Sequence, residues 1–257
     1  MTEQLLVTRD GGIVTLTLNN PERMNPFSRE VRDGLTESFT ALNADETCRA
    51  IILTGAGPHF SAGADLNKFN DNTVKACRER IKSGAMPLMR AMVAGTKPII
   101  AAIEGYAYGA GLALTAASDY VVATPTTRFC CAFTRVGFLP DLGLLWTLPK
   151  RVGMGRAKHL IALARHFDGT QAKEYGLVDE LADTGKALEA ARAVAQEFAA
   201  GPPLAIEFVK SIMAADGTLE DALRAEVDLQ PYLMLSEDHA EGKKAFFEKR
   251  KPQFQGR

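Results

Sequence analysis

Two glycine-spaced segments in the first half of the chain have the residue types and spacing for anion chemistry. They read His59-Phe60-Ser61-Ala62-Gly63-Ala64-Asp65-Leu66 and Gly105-Tyr106-Ala107-Tyr108-Gly109-Ala110-Gly111-Leu112-Ala113. Each follows a short apolar run that reads as a buried strand, residues 50–54 and 98–103, and each leads into a segment able to start a helix. At a strand–glycine–helix junction the first backbone N–H groups lack a partner within the helix and point where an anion would sit. Two such junctions facing one another make an oxyanion hole, which stabilises an enolate or a tetrahedral anion.

The elements that must position these loops are legible in outline. Residues 5–8 and 13–18 read as strands of a hairpin around Asp10-Gly11-Gly12, which Asn19-Asn20-Pro21 ends. From 28 to 43, Val31, Leu35, Phe39 and Leu42 recur at helical spacing with Ser28 as N-cap. There follow a strand (50–54), the first loop, a helix over about 70–94 broken near Pro87, a strand (98–103), the second loop, a helix (109–117) and a strand (120–123). Short strands with intervening helices predict an α/β architecture. Gly153-Met154-Gly155 precedes an amphipathic helix through Arg165, and another helix runs from 186 to 199. Gly201-Pro202-Pro203 reads as a hinge, beyond which the pattern is wholly helical. The expectation is a core over residues 1–200 and a helical appendage over 201–257, too small to fold well alone. No internal repeat is visible.

Composition sets the outer bounds. The 257 residues hold 31 acidic and 30 basic side chains, so the charge of −1 gives no general attraction to nucleic acid or membrane. The uncharged stretches, such as 105–118, fall short of the ~20 apolar residues a bilayer requires. Met-Thr-Glu-Gln lacks the basic and apolar regions of a signal peptide. Cys48, Cys77, Cys130 and Cys131 show no CxxC or His-paired metal spacing, and adjacent residues of a strand face opposite ways. These features point to a cytoplasmic protein with reduced thiols, no metal and no nucleic-acid or membrane partner.

Five segments in order resemble the crotonase family, the enoyl-CoA hydratase/isomerase superfamily, over nearly the whole chain. They are Asn19-Asn20-Pro21-Glu22-Arg23-Met24-Asn25, the two glycine loops, the stretch from Phe167-Asp168-Gly169-Thr170 through Gly176-Leu177-Val178-Asp179, and Ala245-Phe246-Phe247-Glu248-Lys249-Arg250-Lys251. The resemblance implies a spiral of ββα units with a C-terminal helical trimerisation segment, assembled as a homotrimer or dimer of trimers. It also implies an acyl-CoA thioester ligand, with coenzyme A carried by the substrate rather than bound as a cofactor, and a place in fatty acid metabolism. Oxyanion donors fall on the N–H groups of Ala64 and Ala110. Many relatives have glycine where Ala110 stands, a change a backbone donor survives if φ stays negative. Adenine-contacting carbonyls fall near Arg23, Ala62 and Leu66. Phe246 and Lys249 match positions that reach the nucleotide end of CoA, often from a neighbouring subunit. Without the resemblance, Lys249-Arg250-Lys251 reads as a solvated basic tail.

The carboxylates then decide the reaction. Hydration of an enoyl double bond needs a base for water and an acid for Cα. The glutamates that supply these in the family's hydratases match Ala113 and Phe133, neither of which moves a proton. One carboxylate stands where the family's isomerases have an acidic residue: Asp141, in Gly137-Phe138-Leu139-Pro140-Asp141-Leu142-Gly143. A single base suits a 1,3-hydrogen shift through an enolate. Apolar neighbours Phe133, Phe138, Leu142, Leu145 and Trp146 would raise its pKa and strengthen it as a base. The same Pro-Asp also fits a helix N-cap worth ~1 kcal/mol. Leu144 replaces a glycine common in these isomerases and could reshape the acyl pocket.

Rival readings are a hydratase-like enzyme, aryl-CoA dehalogenation with an aspartate nucleophile, and a non-catalytic CoA-binding scaffold. The dehalogenation reading lacks its histidine, since residues 67–97 contain none. Asp65 reads as an N-cap or loop hydrogen bond. Glu104 reads as a hydrogen-bonded loop carboxylate, with a second acid/base as the alternative. His59 reads as a turn residue, and His159, His166 and His239 as surface or packing residues. Lys75, Arg78 and Lys82, interrupted by Glu79, read as a solvated face rather than an RNA stripe.

Overall fold

The structure is a computed structural model that describes residues 3–65 and 73–257. Strands β1 (Leu5–Asp10) and β2 (Ile13–Leu18) pair antiparallel across the Gly11-Gly12 turn, Leu5 opposite Leu18. Helix α1 (Arg29–Ala44) carries the chain to β3 (Ala50–Gly55), which lies parallel to β2. Ser28 Oγ accepts the Val31 N–H at 3.2 Å, and Val31, Leu35, Phe39 and Leu42 form the buried stripe that their spacing predicts.

The helix expected over about 70–94 is three pieces in the described residues: α2 (Val74–Arg80), a π turn (Ile81–Ala85) and α3 (Met86–Val93). The break precedes Pro87. Pro87 has no N–H to give the preceding turn, and the Met86 N–H reaches back five residues to Ile81 O. Lys75, Arg78 and Lys82 are exposed.

Then come β4 (Ile99–Ile103), β5 (Tyr106–Tyr108), α4 (Ala110–Ala117), β6 (Tyr120–Ala123) and β7 (Arg128–Cys130). A 3-10 turn (Ala132–Val136) leads to α5 (Leu144–Val152), α6 (Met154–Leu163), β8 (Phe167–Asp168), α7 (Gly169–Tyr175) and β9 (Glu180–Leu181). Helix α6 begins inside Gly153-Met154-Gly155 rather than after it. Four helices close the chain: α8 (Ala187–Ala200), α9 (Pro203–Ala214), α10 (Leu219–Met234) and α11 (Glu237–Glu248).

The strands sort into a large sheet of order β1-β2-β3-β4-β6-β9, parallel from β2 onward, and a small sheet β5-β7-β8. A strand of the large sheet is followed by one of the small sheet and then by helix: β4-β5-α4, then β6-β7 and α5–α6. The β3 unit repeats the pattern, because Ser61 makes a single parallel bridge to Ala107 of β5 before α2 and α3. The repeat is one of ββα geometry that residue identity hides.

Both faces of the large sheet are covered, so its central strands are apolar throughout rather than alternating. Ile51 and Leu53 face the main core, while Ile52, Ile100 and Val122 pack on α8 through Ala187, Ala191 and Ala195. Helix α8 has no side-chain cap of its own. Glu104 Oε1 accepts the N–H groups of Gly185 and Ala187, at 3.0 and 3.1 Å, which makes Glu104 a hydrogen-bonded loop carboxylate.

Beyond Gly201 the helices are tied back to the sheet. Arg49 Nη2 donates to Gly201 O at 2.7 Å and Nη1 to Phe254 O at 3.3 Å. The buried Lys210 ammonium donates to Lys97 O at 2.8 Å and to Asp119 Oδ2 at 2.6 Å. Among the described residues no helix is long and apolar enough to cross a membrane.

Candidate active site

The first glycine loop is laced to the turn that follows β2. Met24 and Asn25 both take positive φ, 56° and 51°. Asn25 tolerates this better than most residues because its short amide bonds locally. Its buried side chain accepts the Asn20 N–H at 2.8 Å and donates to Ala56 O and His59 O at 2.8 and 2.6 Å. The Asn25 carbonyl accepts Ser61 Oγ–H at 2.7 Å, and Ser61 Oγ in turn accepts the Gly63 N–H at 3.2 Å. Phe27 N–H donates to Gly63 O and Ala62 N–H to Met24 O, each at 2.8 Å.

The second loop runs alongside the first. Ser61 N–H donates to Tyr106 O and Tyr108 N–H to Ser61 O, at 2.8 and 3.0 Å. Gly63, at φ 93°, sits where a Cβ would stand 2.8 Å from Tyr108 O and 3.7 Å from Ala110 N. Glycine there is what allows the loops to touch. His59 stacks on Tyr106 with ring centroids 4.3 Å apart, and its Nδ1 accepts the Tyr106 N–H at 3.3 Å. It is a spacer in this junction, not a group of the cavity.

Ala64 and Ala110 line one cavity of about 230 Å³. Neither N–H has a hydrogen-bond partner among the described residues. Ala110 opens the buried helix α4 behind an N-cap glycine with no side-chain cap, and its own φ is not positive. The free donors and the positive end of the helix dipole therefore meet at the cavity wall.

Asp141 lines the same cavity, with Phe133, Phe138 and Leu142. Burial pushes its carboxyl above the ordinary value, while the charge of Arg80 and its own N–H pull the other way. It is not a helix cap. Helix α5 starts at Leu144 behind Gly143 with no side-chain cap, and the Leu144 N–H goes to the Asp141 carbonyl at 3.1 Å. Leu142, adjacent, holds φ 50° although buried, and Gly143 follows at 65°. A bulky residue in the left-handed region stores about 1–3 kcal/mol of strain, which persists where the surroundings dictate the backbone.

Two of the five expected apolar neighbours lie elsewhere. Leu144 and Leu148 turn into the core, and helical geometry then swings Leu145 to solvent and Trp146 toward Asp216, whose Oδ2 accepts the indole N–H at 3.2 Å. Leu144 does not line the cavity, so it does not reshape it directly. Ala113 is buried in α4 away from the lining, whereas Phe133 is on it.

The remaining expected site residues divide. Ala62 and Asp65 line the cavity, and Asp65 Oδ2 accepts Arg23 Nη2 at 3.0 Å, an ion pair rather than a cap. Leu66 lies outside the described residues. Phe246 on α11 is 78% exposed, and Lys249 just after it takes φ 55°; neither reaches the cavity. Sequence reasoning missed Arg29, Arg32 and Arg80, which line the cavity from α1 and α2. Arg29 and Arg32 lie three apart from the cap Ser28 onward, a spacing that puts them on one helix face and was their only signal.

Stacked ββα units that bring two unpaired backbone donors and one desolvated carboxyl to the wall of a single cavity define the class, an α/β protein with its cavity between the glycine loops and the Asp141 turn. The chain belongs to the enoyl-CoA hydratase/isomerase family, whose sequence model, "Enoyl-CoA hydratase/isomerase", matches residues 8–257. It is 35% identical over the full length of both chains to the 1,2-epoxyphenylacetyl-CoA isomerase of Escherichia coli K12. It is 31% identical, again over both full lengths, to the carnitinyl-CoA dehydratase of Salmonella enteritidis PT4. Among solved structures, enoyl-CoA hydratase from Bacillus anthracis superposes with a TM-score of 0.92 at 30% identity, covering 99% of this chain and 100% of that one. The α/β fold is thus the crotonase fold. Relatives with isomerase, hydratase and dehydratase names share it.

Proposed function

We propose that this protein is an acyl-CoA isomerase that moves a double bond through an enolate. Asp141 takes a proton from Cα of a 3-enoyl thioester, and the C–H electron pair passes into the conjugated system. The resulting dienolate oxygen accepts the N–H groups of Ala64 and Ala110. The same carboxyl then returns the proton at Cγ, which leaves the 2-enoyl thioester and an ionised Asp141. No water is consumed and no second acid is required.

The observation that supports this best is the cavity's carboxylate count. Among the described residues its lining holds two carboxylates: Asp65, engaged by Arg23, and Asp141, raised toward the range of a working base. The positions where the family's hydratases carry glutamates hold Ala113 and Phe133. Coenzyme A, carried by the substrate, lies along Arg23, Ala62 and Leu66. Phe246 and Lys249 reach the nucleotide end of a neighbouring subunit's CoA in a homotrimer or dimer of trimers.

The test is turnover of a 3-enoyl-CoA in D₂O, with deuterium followed at Cα and Cγ. Wild type is expected to form the 2-enoyl product, with deuterium entering at both carbons to the extent that the Asp141 carboxyl trades its proton with solvent between transfers, and Asp141→Asn to lose both. Competent hydration of crotonyl-CoA by wild type, or robust turnover by Asp141→Asn, would count against the reading.

A further inference from the structure

The cavity carries cations that bond to no atom moved in the double-bond shift. Arg32 of α1 and Arg80 at the end of α2 line it together with Asp141, as do Ile81 and Ala85 of the π turn. The Arg32 side chain is only 13% exposed. Its guanidinium lies against Gly84, where a Cβ would overlap both Cζ and Nη1. A glycine in the widened turn is therefore what seats this group. Nε and Nη2 both donate to Oδ1 of the half-exposed Asp33, at 2.9 and 2.7 Å, which fixes the guanidinium plane from the solvent side. Asp33 is not part of the cavity lining.

We propose that this subsite receives a carboxylate at the far end of the acyl group, so that the substrates are thioesters of dicarboxylic acids. The inference rests on the isomerase reading, because it takes the thioester to lie at Ala64 and Ala110 and the acyl chain to run past Asp141. A planar guanidinium matches a carboxylate with two parallel hydrogen bonds. Asp33 holds the Nε and Nη2 side of Arg32, so the second carboxylate would take the Nη1–Nη2 edge, and a methyl-ended chain would offer that edge no acceptor. The apolar stretch of Phe133, Phe138 and Leu142 suits the methylenes between the two ends. Phosphates of coenzyme A share this anion chemistry. Arg80, however, acts on the charge of Asp141, whose ionisation it favours, and shares the cavity lining with Arg32, so the acyl end of the ligand is the one assigned to this pair.

The experiment compares two 3-enoyl-CoA substrates of equal length, one ending in methyl and one in carboxylate. It uses wild type, Arg32→Met, Arg32→Lys and Gly84→Ala. Binding of free coenzyme A and of a saturated dicarboxylyl-CoA is measured alongside by calorimetry. In wild type, kcat/KM is expected to favour the carboxylate-ended substrate roughly 10–100-fold, as for a hydrogen-bonded charge. Arg32→Met should bring that ratio near one, Arg32→Lys should recover part of it, and Gly84→Ala should lower it with Arg32 intact. A wild-type ratio near one, or a ratio indifferent to these variants, would overturn the subsite. So would an Arg32→Met variant that loses free coenzyme A as severely as the dicarboxylyl thioester, since the anion would then be a phosphate. The saturated thioester separates the two readings. Asp141→Asn that turns over both substrates defeats the base, while the binding preference still reports on Arg32.

Discussion

Asp141 sits where ionisation is penalised, and the sign of that penalty can be read from outside. Its carboxyl is raised above the ordinary 3.8, first by burial, against the opposing pull of Arg80 and its own N–H. The native state therefore binds the proton more tightly than the unfolded chain. Its contribution to stability is complete below the ordinary pKa and is lost as pH rises through the raised native value. Replacing Asp141 by Asn should accordingly leave Tm at or above wild type at pH 7, with the gap closing below about pH 4. Isomerisation should fall by roughly 10²–10⁴-fold. Calorimetry at the two pH values beside the turnover assay checks both halves; a variant that loses stability as well as activity would make Asp141 a structural residue. The pH profile carries a second expectation. Activity should rise with pH on a limb above the ordinary carboxylate range, and Arg80→Met, by removing the opposing charge, should move that limb higher.

At the scale of elements, the two junctions depend on close approach more than on side-chain chemistry. Gly63→Ala would bring a Cβ to 2.8 Å from Tyr108 O at φ 93°. The loops would separate and kcat should drop by about 10²–10³, as when one oxyanion donor is lost. Glu104 offers the contrasting case. Glu104→Ala removes the acceptor for Gly185 and Ala187 and should cost about 1 kcal/mol of stability at the start of α8. Turnover should stay near wild type, which an acid/base role for Glu104 would not permit. These two residues also mark what the sequence discloses. Helix α1 and strands β3 and β4 are written in local periodicity, and the glycine loops in local spacing. The Glu104 cap joins residues 81 apart, and the strands of the small sheet have two or three residues, too few to show a period. The face of α5 was misjudged for a related reason. Its start at Leu144, set by the left-handed pair Leu142 and Gly143, decides which leucines turn inward. The Arg32 seat needed a π turn, which shifts the register of everything after it and leaves no mark in a helical pattern.

For the whole molecule, the C-terminal helices pose the remaining question of what covers them. Lys210 and Arg49 hold one side of the segment to the sheet, by bonds to Asp119, Lys97 and Gly201. Its other surfaces carry exposed Met213, Leu219, Val227, Tyr232, Phe246 and Phe247, and Leu235 at 89% exposure. Apolar side chains in such number along three helices are what an association surface would present, and we propose that they form one. A homotrimer or dimer of trimers would bury them and carry Phe246 and Lys249 to a neighbour's nucleotide, which one subunit's cavity does not meet. Wild type should therefore sediment as a trimer or hexamer at micromolar concentration. The pair Val227→Lys and Leu235→Lys should sediment as a folded monomer with weakened binding of free coenzyme A. Phe246→Ala with Lys249→Ala should keep the assembly and raise KM alone. Assembly and nucleotide binding that vary independently in these variants would confine coenzyme A to a single subunit. A monomeric wild type would leave the helices to some other partner.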